Sequence, residues 1–444
     1  MITALERQPP YVCEANTDLL THFGHGIMVI DPRHQGFGLK PYSFLDQYAN
    51  KFYVLSGKQG VFVTPFPVPE FQQRYFRELG IDVAEPISPA RNGEGSLIDR
   101  IHKDRQAMSI LRQANGQIIP YMTTQEVESL GSDCDLEVAI TSSTSNHIGN
   151  KALFHETLSS VKDDIQEQTG IDVVIPTVGI QAGDYGALEK EYRAMSCNGT
   201  KDVMVVAPES ASSLGTFRIR AGQDISVLIH LIQNNFSEGT EVLLREYIPH
   251  TTSPSMQGIA FDRYEHLYMG GQLITYSPSE HGEEHLEHQG GTVPFENGEP
   301  ILSTDTLARM HDIHTYIGEL LSRGGYSRTV LGLDAVLNLD SDGNIVTLKI
   351  TEANVHLPSS LAVYAVVSKL FPDGFSGIAL NKNVPLKSGQ MPEDFFHEMR
   401  DRFVHQPNEY GAFLLNGSYS NKIDIIFLAR DASHLEQLQI PFQL

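Results

Sequence analysis

Cations are in short supply in this 444-residue chain: 32 Lys and Arg stand against 55 Asp and Glu, a formal charge of −23. With no run of basic residues to offset it, that balance excludes nucleic-acid recognition, which needs clustered Lys and Arg. Cysteine is scarcer still. Cys13, Cys134 and Cys197 are odd in number and widely spaced, which speaks against a disulfide frame and fits a reducing, cytoplasmic setting. No stretch approaches the roughly 20 apolar residues that cross a bilayer. The segment 1–10 carries charges and prolines where a secretory signal would carry an apolar core. What is present is 41% hydrophobic residues with 37 Gly and 23 Pro, a globular and turn-rich composition at a length that calls for more than one core.

Periodicity divides the chain into three units. Residues 1–144 alternate apolar runs at 26–30, 51–55, 60–63 and 81–83, expected as strands, with a helix over 69–80. This is the pattern of an open α/β sheet. A second unit, 145–367, opens with a helix over 150–167 and a strand over 171–175. A helix (187–195) follows, then a strand at 202–206 that returns at 217–219 through a small-residue loop, a strand at 241–248 and an antiparallel-looking strand at 256–262. The segment 277–300, rich in Gly, Glu, His and Pro, reads as a long mobile loop. A helix over 304–323 precedes strands at 330–339 and 345–352. Residues 368–444 read as a small α+β element, with helices at 392–403 and 433–439 and strands at 411–416 and 422–429. No internal repeat is present.

The sharpest constellation is Gly332-Leu333-Asp334-Ala335-Val336, the turn Asp342-Gly343-Asn344, and Ile350-Thr351-Glu352-Ala353-Asn354. Asp-Gly between apolar runs signals a hairpin. Strand alternation puts Val346, Leu348, Ile350, Glu352 and Asn354 on one face. A three-residue loop at 342–344 places Asp334 opposite Glu352, with Cβ atoms about 5 Å apart. Two carboxylates that close repel unless a cation lies between them, and Asn354 completes an all-oxygen set suited to Mg²⁺. The competing reading is a surface hairpin with ordinary polar ends. An EF-hand fails on spacing, since Asn338, Asp340 and Asp342 at positions 1, 3 and 5 put Lys349 where a Glu is required.

A Gly-x-Asp strand, a DG turn and a Glu-x-Asn strand resemble the C-terminal signature of the ATP-grasp enzymes. Glu241-Val242-Leu243-Leu244-Arg245-Glu246-Tyr247-Ile248 is similar to their interdomain hinge, and Gly324-Gly325-Tyr326-Ser327-Arg328 to their helix-to-strand entry. Three stretches resemble the pre-ATP-grasp region of pheganomycin-type peptide ligases: 64–80, Ile118 through Glu126, and Asn150-Lys151. The resemblance implies an ATP- and Mg²⁺-dependent carboxylate–amine ligase. Adenine and ribose would lie against Arg245, Glu246, Tyr247 and Ile248, and Mg²⁺ on Asp334, Glu352 and Asn354. A nucleotide-binding regulatory protein or a kinase on the same fold are the alternatives. The substrates would be a small carboxylate, such as an amino acid, and an amine. Neither nucleic acid nor membrane enters as a partner, and a homodimer stays open.

Two positions depart from the family pattern. Ala207 stands where a phosphate-binding Lys is usual, before the loop Ser210 to Thr216, whose Ser212, Ser213 and Gly215 would cradle phosphates; without the family context the same loop is a plain turn. Arg218 or Arg245 would then supply the missing cation, with Lys201 a weaker candidate. His356 replaces an Arg that helps hold phosphate or the substrate carboxylate, so Arg218, Arg328 and His356 are the candidate catalytic groups. His281, His285 and His288 read as an acidic-and-His loop rather than a zinc site, there being no Cys-x₂-Cys or His-Glu-x-x-His frame.

Overall fold

The computed structural model describes residues 17–32, 45–90, 95–197, 200–209, 215–250, 252–260, 264–278, 283–293, 302–326, 329–419 and 421–442. The N-terminal strands are β1 (Ile27–Val29), β2 (Val61–Val63), β3 (Pro86–Ile87), β4 (Gln117–Pro120) and β5 (Glu137–Val138). They form a parallel sheet in the order β3-β2-β1-β4-β5. The run 51–55 is not one of its strands. It is a 3-10 helix, Ala49–Leu55, in which every residue is buried. Alternation carries no information when all faces are covered, so a short apolar run cannot distinguish the two states. The strand expected at 81–83 begins instead at Pro86, after Gly80 closes the preceding helix with φ +71°.

The second sheet continues in one piece to the C-terminus. Its strands are β6 (Thr177–Gln181), β7 (Val203–Val206), β8 (Thr216–Ile219), β9 (Glu241–Glu246), β10 (Pro254–Ala260), β11 (Tyr264–Pro278) and β12 (Glu284–Val293). There follow β13 (Thr329–Leu339), β14 (Ile345–Asn354), β15 (Ile378–Pro385), β16 (Gly411–Asn416) and β17 (Lys422–Ala429). The main path runs β14-β13-β10-β11-β12-β8-β7-β9-β6, and β15 joins β12 to β17. The smaller lobe, β6 to β9, meets the body through two rungs, Glu284↔Arg218 and His285↔Phe217. The helix Thr304–Arg323 matches the expected span. The helix expected over 150–167 is two, Lys151–Ser160 and Lys162–Thr169, broken at Val161.

Two further expectations are overturned. The segment 171–175 forms no strand: Asp172 bends the chain by accepting the Val174 N–H at 3.0 Å, and its carboxylate is held by Lys162 and Lys349. The segment 277–300, read as a loop, contains all of β12 and the end of β11. Its polar, Gly-rich sequence hides a strand because the ladder bonds to β11, β8 and β15 hold it whatever its side chains.

A histidine pair, His314 fully buried and His266 partly so, joins β11 to the Thr304–Arg323 helix. His266 Nδ1 and His314 Nδ1 share a hydrogen bond of 2.7 Å, and the Tyr264 hydroxyl meets His314 Nε2 at 2.8 Å. Burial pushes the His266 pKa down to about 4, and that of the fully buried His314 well below 6.5. Both rings are therefore neutral when folded but take a proton below about 6.5 when unfolded. Their contribution to stability is complete above that pH and lost as pH falls toward 4, at roughly 1.4 kcal/mol per pH unit per ring. Urea midpoints measured from pH 7 to pH 5 should fall steeply, and His266→Asn should flatten the slope.

Candidate functional site

The hairpin β13–β14 brings Asp334 opposite Glu352, by a route the sequence did not show. Its turn is five residues, 340–344, between the paired Leu339 and Ile345. Asp340 organises that turn, its Oδ1 accepting the N–H groups of Asp342 and Asn344, each at 2.9 Å. Two bulges on β14, at Val346 and Thr351, then restore the register expected from the shorter loop. The second also breaks the expected single face. Leu348, Ile350 and Ala353 enter the apolar core, Val346 is exposed, and Glu352 turns into a cleft.

That cleft is lined from the smaller lobe by Met204, Val206 and Thr216, from the end of β9 and the residues after it by Arg245, Glu246, Tyr247 and Ile248, and from the body by Asp334 and Glu352. Lys151 joins them. Asn150 caps its helix by accepting the N–H groups of Ala152 and Leu153. The Lys151 N–H donates to the Pro208 carbonyl at 2.9 Å, and Nζ lies 3.0 Å from Glu352 Oε2.

Charge is finely opposed here. Burial and the nearby Glu352 raise the Asp334 pKa to about 7, against hydrogen bonds from Ser255, Gln272 and Asn354. Burial would also raise Glu352, but Lys151 outweighs it and holds that carboxyl below its usual range. Asp334 Oδ1 is 2.6 Å from Ser255 Oγ, and Asn354 Nδ2 donates to Asp334 Oδ2 at 2.7 Å.

No family model and no curated protein sequence matches the chain. Solved structures do. N5-carboxyaminoimidazole synthetase from Staphylococcus aureus, complexed with ADP, superposes with a TM-score of 0.52 at 13% identity, over 94% of this chain and 97% of that one. The N5-carboxyaminoimidazole ribonucleotide synthetase of Thermus thermophilus gives 0.53 at 11%, over 93% and 96%. Biotin carboxylase from Campylobacter jejuni, in a β,γ-ATP complex, gives 0.51 at 13%, over 88% and 87%. The fold is that of the ATP-grasp ligases. What these proteins share with the chain is that architecture.

On the ATP-grasp fold the cleft between the smaller lobe and the body is where this chain gathers its charge. Of the residues singled out in the sequence, Asp334, Glu352, Arg245, Glu246, Tyr247 and Ile248 line it together, with Asn354 bonded to Asp334. Arg218 is not among the lining residues. Its guanidinium is held by Asp202 at 2.5 Å and by Glu284 at 3.6 Å, and stands 4.0 Å over the Tyr247 ring. Lys201 pairs with Glu246 at 2.8 Å. Gly215 takes φ +68° and its carbonyl accepts the Ala207 N–H at 2.9 Å. His356 stacks on Tyr121 with ring centroids 5.1 Å apart, and burial lowers its pKa against the pull of Glu352. Ser212, Ser213, Arg328 and His281 lie outside the described residues. His285 and His288 fall on β12. Among the described residues, no group of three His, Cys, Asp or Glu forms a metal cluster, and no helix is long and apolar enough to cross a membrane.

The donor set fits a hard divalent cation. Two facing carboxylates and an amide carbonyl offer oxygen ligands, with the Lys151 ammonium beside one of them. Lys151 is the cleft cation that the sequence reading passed over. A signal existed: a Lys in the first helical turn opposes the helix dipole, which implies an anion facing it.

Arg245 ties the two walls. Only 6% exposed, it donates to the Thr351 carbonyl at 2.7 Å and to the Lys151 carbonyl at 3.3 Å. Burial lowers its pKa to about 10, which leaves it charged at neutral pH. Arg245→Met removes both bonds and should cost about 3–6 kcal/mol, at roughly 1.5–3 kcal/mol per hydrogen bond from a charged donor. Urea denaturation measures this, and an unchanged midpoint would count against the tie.

Proposed function

We propose that the chain is an ATP-dependent ligase that activates a carboxylate as an acyl phosphate and joins it to an amine. The observation that carries the reading is one cleft holding a hinge strand, a pair of opposed carboxylates and the Lys151 ammonium 3.0 Å from one of them. ATP would enter with its base against the backbone of 246–248 and its phosphates toward Lys151, Asp334 and Glu352. Mg²⁺ held by Asp334, Glu352 and the Asn354 side-chain carbonyl oxygen would neutralise the charge that develops on the phosphates.

In the first step the substrate carboxylate oxygen bonds to the γ-phosphorus as the bond to the β-phosphate oxygen breaks, releasing ADP. The amine nitrogen then bonds to the acyl carbon, phosphate leaves, and the amine proton passes to solvent. Both steps ask the protein for positioning and fixed charge rather than for a nucleophile. That demand suits a site whose charged groups are buried and bonded. The carboxylate of an amino acid or related small acid is the favoured substrate class, on the resemblance to peptide ligases.

Incubation of the chain with Mg-ATP and mixed amino acids should release ADP and phosphate with a product lighter than its two precursors by one water. A phosphorylated acceptor would make it a kinase. ATP binding with no turnover would make it a regulatory protein.

A further inference from the structure

Three strands lay out two rows behind the cleft. Register aligns Ser255, Asp334 and Glu352 across β10, β13 and β14, and aligns Gln257, Gly332 and Asn354 two residues along. Residues two apart on a strand share a face, so the six positions form one small grid. Ser255 and Gln257, 6% and 0% exposed, stand outside the lining of the cleft and behind its ligand side chains.

The hydrogen bonds through this grid have a direction. Gln257 Nε2 donates to Ser255 Oγ at 2.7 Å, which leaves the Ser255 hydroxyl hydrogen to donate to Asp334 Oδ1 at 2.6 Å. The other end of the Gln257 amide is unused: its Oε1 is buried without a hydrogen-bond partner. Gly332 explains how the amide fits. A Cβ at that position would come within 2.7 Å of Gln257 Oε1, 2.9 Å of its Nε2 and 3.2 Å of Asn354 Cβ. The glycine of the Gly-x-Asp motif is thus the space the Gln257 amide occupies.

An orphaned buried acceptor calls for a donor that arrives in another state of the site. Asn354 supplies one. Its Nδ2 donates to Asp334 Oδ2, an oxygen that a cation would claim, and its Oδ1 would be the ligand atom under the ligase reading. When Asn354 turns Oδ1 to a cation, Nδ2 leaves Asp334 and needs an acceptor beside it in the same row.

We infer that Gln257 is the positioning residue of this site, orienting Asp334 through the Ser255 hydroxyl and receiving the Asn354 amide when a divalent cation binds. The inference rests on the ligase reading of the cleft. Groups that orient metal ligands from behind usually affect metal affinity about 10–100-fold.

The test titrates Mn²⁺ into the full-length chain with a non-hydrolysable ATP analogue, counting free Mn²⁺ by paramagnetic resonance and following thermal melting in parallel. Gln257→Leu and Ser255→Ala should each weaken Mn²⁺ binding about 10–100-fold, while Ser255→Thr, which keeps the hydroxyl, should stay near wild type. Unchanged affinity in Gln257→Leu or Ser255→Ala overturns the inference, and so does a loss in Ser255→Thr as deep as in Ser255→Ala. If Ser255→Ala fails to melt as a folded protein, Gln257→Leu decides alone. Failure of the wild-type chain to bind Mn²⁺ overturns the ligase reading instead.

Discussion

Glu352→Gln should leave the fold intact and lower ADP formation by about 10²–10³-fold, the usual size of losing one charge-stabilising group. The substitution keeps the side-chain length and an oxygen for Lys151, which now lies 3.0 Å from Glu352 Oε2. It removes one of the two charges that would grip a divalent ion. It also removes the charge that helps to push Asp334 up to about 7, so the folded protein is relieved of a repulsion. Because the same change takes the counter-charge from the buried Lys151, thermal melting should show some loss but a cooperative transition, while coupled measurement of ADP shows a large loss. Full turnover in this variant would refute the assignment of the carboxylate pair to the cation.

Lys151→Met should act on nucleotide binding first. Methionine keeps most of the apolar stem, so the helix that begins at Lys151 retains its packing, but the cleft loses the ammonium beside Glu352. We expect the KM for ATP to rise by about 10-fold or more, corresponding to at least about 1.4 kcal/mol of lost phosphate attraction. Stability should fall modestly, because Glu352 is left unpaired while still about a fifth open to water, at 22% exposure. Combining the two substitutions separates the roles. If Lys151 and Glu352 work as a pair, the double variant will lose less than the sum of the singles. Simple additivity would assign Lys151 to the phosphates and Glu352 to the cation independently.

The parts of this molecule that were legible in the sequence share a physical reason: one face of each was buried and the other was not. The helix Thr304–Arg323 and the strand β14 show that contrast plainly, β13 shows it only near the turn because 330–335 are buried throughout, and the Asp-Gly turn marks the hairpin. The pairing of Asp334 with Glu352 was reachable because register is a matter of parity, and two bulges compensated for a turn two residues longer than assumed.

What could not be read lay where neighbours decide. Ala49–Leu55 is enclosed on all sides, so its apolar run fits helix and strand alike. β12 owes its conformation to three flanking strands rather than to its own Gly- and His-bearing sequence. Lys151 is remote in sequence from Glu352, and a salt bridge across about 200 residues leaves no periodic trace. Gln257 and Ser255 lie in a buried strand whose polar members look like chance until the third strand is aligned with them.

The narrow union of the two lobes sets how the molecule can respond to whatever fills its cleft. Among the described residues, two rungs of β ladder, the ion pairs from Arg218 and Arg220 to Glu284, the Arg245 guanidinium and the Lys151 N–H on the Pro208 carbonyl help to fasten the smaller lobe. Backbone rungs contribute about 1 kcal/mol each, and half-exposed ion pairs less, weakening further as salt rises. Under the ligase reading proposed above, a triphosphate held from both walls of the cleft would add contacts across that seam. The spacing of the lobes would then follow what fills the cleft and, through the ion pairs at its edge, the ionic strength.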